Sequence, residues 1–131
     1  GSEDFISKAR KYRKMLGGGL RQAGILAAAG IYALENLVAR LKEDHQNATR
    51  LAKALNELPG LSVPLETVQT NIVMVDINHP KLNAIESVKV LQNKGILVNN
   101  TTQTRLRFVT HRDVSCDDIE VVIKAMKEIF S

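Results

Sequence analysis

The sequence predicts an α+β fold, an antiparallel-rich sheet covered by helices. Three observations lead there. From residue 43 onward the apolar pattern switches between a period near 3.6 and a period of two, in the order helix, strand, strand, helix, strand, strand, helix. The stretch Arg105 to Thr110 alternates, with Leu106 and Phe108 on one face and Arg105, Arg107 and Val109 on the other. The breaks fall at Pro59-Gly60, Asn78-His79-Pro80 and Gly95, residues that end helices and make turns.

Taken in order, Ser2-Glu3-Asp4 reads as a helix start, a capping hydroxyl followed by acids in the first turn. Phe5, Ile6, Ala9, Tyr12 and Leu16 then fall near one face, and Gly17-Gly18-Gly19 ends the helix. A second helix is expected from Leu20 to about Lys42. Between Ala23 and Leu34 it is apolar nearly all round, which implies a partner on several sides that this chain is too small to supply. Further on, Leu41, Ala48, Leu51, Leu55 and Leu58 form one stripe, with Glu43, Asp44, Arg50 and Lys53 opposite and His45 on the solvated side.

After Pro59-Gly60, Leu61 to Leu65 is a short strand candidate, placed at a sheet edge by Pro64. Thr70 to Ile77 is a stronger strand. Leu82, Ile85, Val88 and Leu91 mark a helix that Gly95 ends, Ile96 to Val98 a further strand, and Asn99 to Thr104 a polar turn. Ser115 followed three residues later by Asp118 is a capping-box pattern, and Ile119, Val122, Ile123, Met126, Ile129 and Phe130 form the stripe of the last helix.

Composition narrows the class. No apolar run reaches about 18 residues, so no membrane span is expected. The net charge of +4 is uneven: residues 1–58 carry ten Lys/Arg against six Asp/Glu, and residues 59–131 eight of each. The excess lies mostly at Lys8, Arg10, Lys11, Arg13 and Lys14. A solvated helix face accounts for it better than nucleic-acid binding, because only 4% of residues are aromatic and base stacking needs such platforms. Cys116, the single cysteine, excludes an internal disulfide and points to a reducing compartment, hence a cytoplasmic location. No histidine has metal-ligand spacing to another, and no metal is expected.

Two stretches carry chemistry. Arg13-Lys14-Met15-Leu16-Gly17-Gly18-Gly19-Leu20-Arg21-Gln22-Ala23-Gly24, with Ile25 to Gly30 after it, places three glycines between a basic helix and an apolar one. Such a triplet turns the chain sharply, and the unpaired N–H groups of a following helix near Arg21 can receive an anion. The second stretch is Arg107-Phe108-Val109-Thr110-His111-Arg112-Asp113-Val114-Ser115. In this order the two stretches resemble the low-specificity L-threonine aldolases, fold type I enzymes that depend on pyridoxal 5'-phosphate. The resemblance runs over all 131 residues but over only the C-terminal part of such an enzyme.

The resemblance implies the following. Residues 1–42 are the tail of the large cofactor-binding domain and a connecting helix, and residues 43–131 the small C-terminal domain. The parent protein is a carbon–carbon lyase that cleaves L-threonine or L-allo-threonine to glycine and acetaldehyde, and is a homotetramer built as a dimer of dimers. Arg107 is the substrate-binding residue, gripping the amino-acid carboxylate. Arg21 is the cofactor-binding residue, at the phosphate. Lys14 matches a lysine near the active site and is the catalytic candidate, distinct from the Schiff-base lysine, which precedes this segment in the family and is not in this chain. The 131 residues alone are therefore expected to be inactive. Two alternatives remain open at this point: a stand-alone basic α+β module for RNA or an acidic partner, and a related lyase that performs β-elimination with the same cofactor. His111 and Asp113 are expected to shape the turn before the last helix.

Overall fold

The structure is a computed structural model that describes residues 1–80 and 82–130. It separates into two units, Gly1–Val38 and Ala39–Ser131.

The first unit holds two helices, α1 (Glu3–Met15) and α2 (Gly24–Asn36). Ser2 caps α1, its Oγ accepting the N–H of Phe5 at 3.3 Å, and Glu3 and Asp4 favour the positive end of the helix dipole. Gly17 ends the helix in the left-handed region at φ +86°, where the N–H groups of Gly17 and Gly18 return to the carbonyls of Lys14 and Arg13 at 3.3 and 2.8 Å. Gly18 has its own reason to be glycine: a Cβ there would lie 2.8 Å from Arg13 Cγ and 3.0 Å from the Arg13 carbonyl oxygen. The triplet therefore works as a helix stop.

The expected helix from Leu20 to Lys42 is corrected at both ends. Gln22 sits at φ +51°, which no right-handed helix accepts, so α2 begins only at Gly24. It stops at Asn36, and residues 37–40 form a turn before the next helix begins. None of the α2 side chains is buried, and Ile25 and Leu34 are 84% and 73% exposed.

The second unit comprises α3 (Leu41–Asn56), β1 (Leu61–Ser62), a 3-10 turn (Leu65–Thr67), β2 (Ile72–Ile77), α4 (Ala84–Asn93), β3 (Asn99–Asn100), β4 (Arg105–Val109) and α5 (Cys116–Phe130). The strands form one antiparallel sheet in the order β1-β2-β4-β3. Strand alternation sends Val73, Val75, Leu106 and Phe108 into the core, where they meet Ala48, Leu51 and Leu55 of α3, Leu91 of α4, and Ile119, Ile123, Met126 and Phe130 of α5. The opposite face of the sheet carries Met74 and Asp76 of β2 with Arg105, Arg107 and Val109 of β4.

Caps fix where the helices of this unit start. Asn83 and Glu86 exchange hydrogen bonds at α4 (2.9 and 3.0 Å), and Ser115 and Asp118 do the same at α5 (3.2 and 2.8 Å). Two further expectations are corrected here. The strand at Leu61 is only two residues long, because Pro64 has no N–H for a ladder and leads into the 3-10 turn. Ile96 to Val98 is not a strand: the Ile96 N–H is taken by the Leu91 carbonyl at 3.0 Å, and the ladder starts at Asn99, opposite Arg107.

Asp44 was expected on the solvated side of α3 and is buried instead. Its carboxylate accepts two hydrogen bonds from the Arg40 guanidinium, at 2.6 and 3.1 Å, which satisfies both oxygens as burial requires. His45 is half-buried. No single described helix is long and apolar enough to cross a membrane.

Candidate functional site

β4 sets the geometry of the site. Arg105 and Arg107 stem from the same face of this strand, two positions apart, because Leu106 and Phe108 are drawn into the core between and beyond them. Their neighbours differ. Arg105 stands opposite Asp76 in register and binds its carboxylate with two hydrogen bonds, Nε to Oδ1 at 2.6 Å and Nη2 to Oδ2 at 2.9 Å. That hydrogen-bonded pairing, reinforced by the charge of Asp76, raises the Arg105 pKa further above its ordinary value. Arg107 stands opposite Met74 on one side and Asn99 on the other, neither of which bears a charge. Among the described residues the Arg107 side chain has no hydrogen-bond or ion-pair partner.

Arg107 lines a cleft of about 450 Å³. Val88 and Gln92 of α4, the Ile96 to Asn99 segment, Val109 and His111 form the rest of its wall. The arrangement, an uncommitted guanidinium beside two carboxamides and an imidazole in a cleft otherwise walled by aliphatic side chains, suits a small carboxylate: the fork fixes its direction and the amides can supply further hydrogen bonds. Sequence reasoning missed Asn99, assigned to a turn, and Asp76, whose one signal was an acid inside the apolar run of β2.

The end of β4 is held firmly. The Thr110 hydroxyl donates to the Asp44 carbonyl at 2.7 Å, and the Asn71 and Thr110 main chains are linked at 2.9 Å, with Asn71 Nδ2 donating to the Thr110 carbonyl at 2.8 Å. The next turn is built from His111 and Asp113, as expected: the Asp113 N–H donates to His111 Nδ1 at 3.3 Å, and the Val114 N–H to the His111 carbonyl at 2.9 Å. Cys116, in the first turn of α5, is exposed.

The other two candidates belong to the first unit. Lys14 lies in the last turn of α1, exposed, with its aliphatic stem over Gly19; a Cβ on Gly19 would be 3.4 Å from Lys14 Cγ. Arg21 is exposed in the bend that precedes α2, three residues before the helix rather than at its start. α2 has no side-chain cap and no acid in its first turn, so among the described residues nothing offsets the positive end of its dipole. Among the described residues neither Lys14 nor Arg21 has a side-chain hydrogen bond or ion pair.

The chain is 45% identical over 131 residues to a probable low-specificity L-threonine aldolase 2 of Arabidopsis thaliana, covering 99% of this chain and 37% of the relative. It is 44% identical over 122 residues to the low specificity L-threonine aldolase of Escherichia coli K12, covering 93% and 34% respectively. The chain thus spans only about a third of the length of these relatives. Among solved structures, a cystine C-S lyase in complex with cysteine persulfide matches with a TM-score of 0.66 at 19% identity, over 81% of this chain and 28% of that one. A NifS-like protein matches at 0.64 and 21%, over 74% and 30%. At such identities these two establish the fold, which is the expected α+β portion of a fold type I enzyme. The model of the beta-eliminating lyase family matches residues 1–78, more than half of the sequence, and this chain belongs to that family.

Proposed function

We propose that the chain is the C-terminal portion of a pyridoxal-phosphate-dependent threonine aldolase, which splits the Cα–Cβ bond of a β-hydroxy amino acid such as threonine into glycine and acetaldehyde. One observation carries the reading at the level of the site: of the two guanidiniums on the outer face of β4, Arg107 is the one that no described residue engages, and it borders a cleft. Its fork holds the substrate carboxylate and thereby fixes which bond at Cα faces the cofactor. The cofactor, when bound, supplies an electron sink for the pair left at Cα.

Arg21, three residues before α2, and the uncapped N–H groups of that helix are the groups we assign to the phosphate of that cofactor. Lys14, whose stem lies over the glycine turn on the same unit, is the nearby catalytic candidate. The first unit is the end of the larger cofactor-binding domain, and the exposed apolar surface of α2 is covered in the whole protein by that domain or by another copy in a tetramer. The named relatives favour this over a stand-alone module for RNA or an acidic partner.

The test is to express the full-length protein that contains this chain, load it with pyridoxal phosphate and supply L-threonine. Release of acetaldehyde and glycine in equal amounts is the expected result. Release of ammonia and a 2-oxo acid without acetaldehyde would replace the aldolase reading by β-elimination, and no turnover of either kind would overturn both.

A further inference from the structure

A strand that presents two arginines at positions i and i+2 of one face creates a problem for recognition. Arg105 and Arg107 are about 7 Å apart along β4, within the reach of two extended side chains. A carboxylate arriving at this face would meet two forks of the same chemistry, and each fork binds along a direction set by its own stem. Only one of those directions can present Cα correctly. The structure resolves the ambiguity through a residue on the neighbouring strand: Asp76 faces Arg105 in register, holds its Nε and Nη2 at 2.6 and 2.9 Å and offsets its charge, while Arg107 faces Met74. The pair is half-open to solvent, with the side chains of Arg105 and Asp76 44% and 29% exposed, and the core lies on the opposite face of the sheet. Exposed pairs of this kind contribute little to folding.

We propose that Asp76 is a positioning residue for the substrate: by holding two donors of Arg105 and offsetting its charge it weakens the second fork and leaves Arg107 as the favoured direction in which a carboxylate is held. The inference rests on the reading of Arg107 given above. Replacing Asp76 by asparagine frees Arg105, and substrate gripped by Arg105 is displaced by one same-face position, bound but not reactive. Such non-productive binding has a kinetic signature. It lowers kcat and KM by the same factor and leaves kcat/KM unchanged, because that ratio refers to free enzyme and free substrate. Damage to the fold or to the site lowers kcat/KM instead.

The experiment uses the full-length enzyme loaded with cofactor, in four forms: wild type, Asp76→Asn, Asp76→Asn with Arg105→Ala, and Arg107→Lys. Two forks of equal affinity halve the productive fraction, so Asp76→Asn should lower kcat and KM together by about twofold. Calorimetric titration with glycine should show binding tightened by a similar factor, a readout independent of turnover. The double variant, with no second fork, should regain wild-type kcat, KM and glycine affinity. Unchanged kcat and KM in Asp76→Asn would overturn the inference, as would a fall in kcat/KM that the double variant does not repair. If Arg107→Lys keeps wild-type kcat/KM, the reading of Arg107 itself fails and takes the inference with it. If Arg107→Lys is impaired and Asp76→Asn is silent, only the inference falls.

Discussion

Thr110, at the end of β4, donates its hydroxyl to the main-chain carbonyl of Asp44 in the first turn of α3, 66 residues away in sequence. The side chain is 1% exposed, so the hydroxyl has no water to turn to. Thr110→Val keeps the shape and removes the donor. We expect a loss of about 1 kcal/mol in the stability of the second unit, since one buried hydrogen bond is lost and part of the cost is offset by the added methyl. Thr110→Ser keeps the donor and should restore the Asp44 contact. Urea denaturation of both variants decides; equal stability of Thr110→Val and wild type would mean that the contact contributes nothing.

Arg107 offers the sharpest functional contrast. In the full-length enzyme, Arg107→Lys keeps the charge and loses the two-armed geometry, so kcat/KM for threonine should fall at least about tenfold, or roughly 1.4 kcal/mol of transition-state stabilisation. Arg107→Ala should be worse, because the substrate carboxylate would be left unpaired. Arg105→Lys, which preserves a charge for Asp76, should stay within about twofold of wild type. The opposite ranking of the two lysine variants would move the site by one same-face position along β4.

Arg21 acts, in this reading, on the cofactor rather than the substrate. Arg21→Ala in the full-length protein should weaken retention of pyridoxal phosphate on dialysis, with turnover largely restored at saturating cofactor. Cofactor absorbance after exhaustive dialysis measures this directly. Wild-type retention would return Arg21 to being the bend that leads into α2.

Acid should loosen the second unit in a defined way. Asp118 is held below its ordinary value of 3.8 by hydrogen bonds from the side chain and then the backbone of Ser115. Glu120 and Glu128 lie below their ordinary 4.5, through hydrogen bonds from Arg50 and Lys94 respectively. A carboxylate depressed in the folded state contributes stability that is present above its unfolded pKa and lost as pH falls through the folded one. Urea midpoints should therefore be flat from neutral pH down to about 5, then fall below about 4. Asp118→Asn combined with Glu120→Gln and Glu128→Gln should flatten that acid limb; an unaltered limb would place the titrating groups elsewhere.

Much of this was legible in the sequence, for reasons that can be stated residue by residue. Ser115 and Asp118 announced the start of α5 because a capping box is a local exchange over three residues. Leu106 and Phe108 fixed the facing of Arg105 and Arg107 because side chains alternate along any strand. The exposed α2 was foreseeable as a helix lacking its partner, since its apolar residues occupy every face. Local chemistry also misled. Ile96 to Val98 has strand-like side chains, and Ile96 and Val98 do pack partly against the core, yet the Ile96 N–H closes the end of α4 instead of joining a ladder.

The sequence by itself determined the α+β class, most of the helices and strands, the helix stop at Gly17 and the two stretches that carry the family likeness, because each depends on residues within a few positions of one another. The pairing of separate strands decided which arginine is free. Asp76 meets Arg105 across 29 residues only because β2 and β4 pair in that register; a shift of one residue would turn the Asp76 side chain to the other face. Asp44 follows Leu41 by three residues and precedes Ala48 by four, so the helical period itself places it on the stripe that α3 buries, and the two hydrogen bonds from Arg40 let an acid occupy that face. Periodicity specifies which face of an element turns inward, whereas the partner it meets there is set by how separate elements pack.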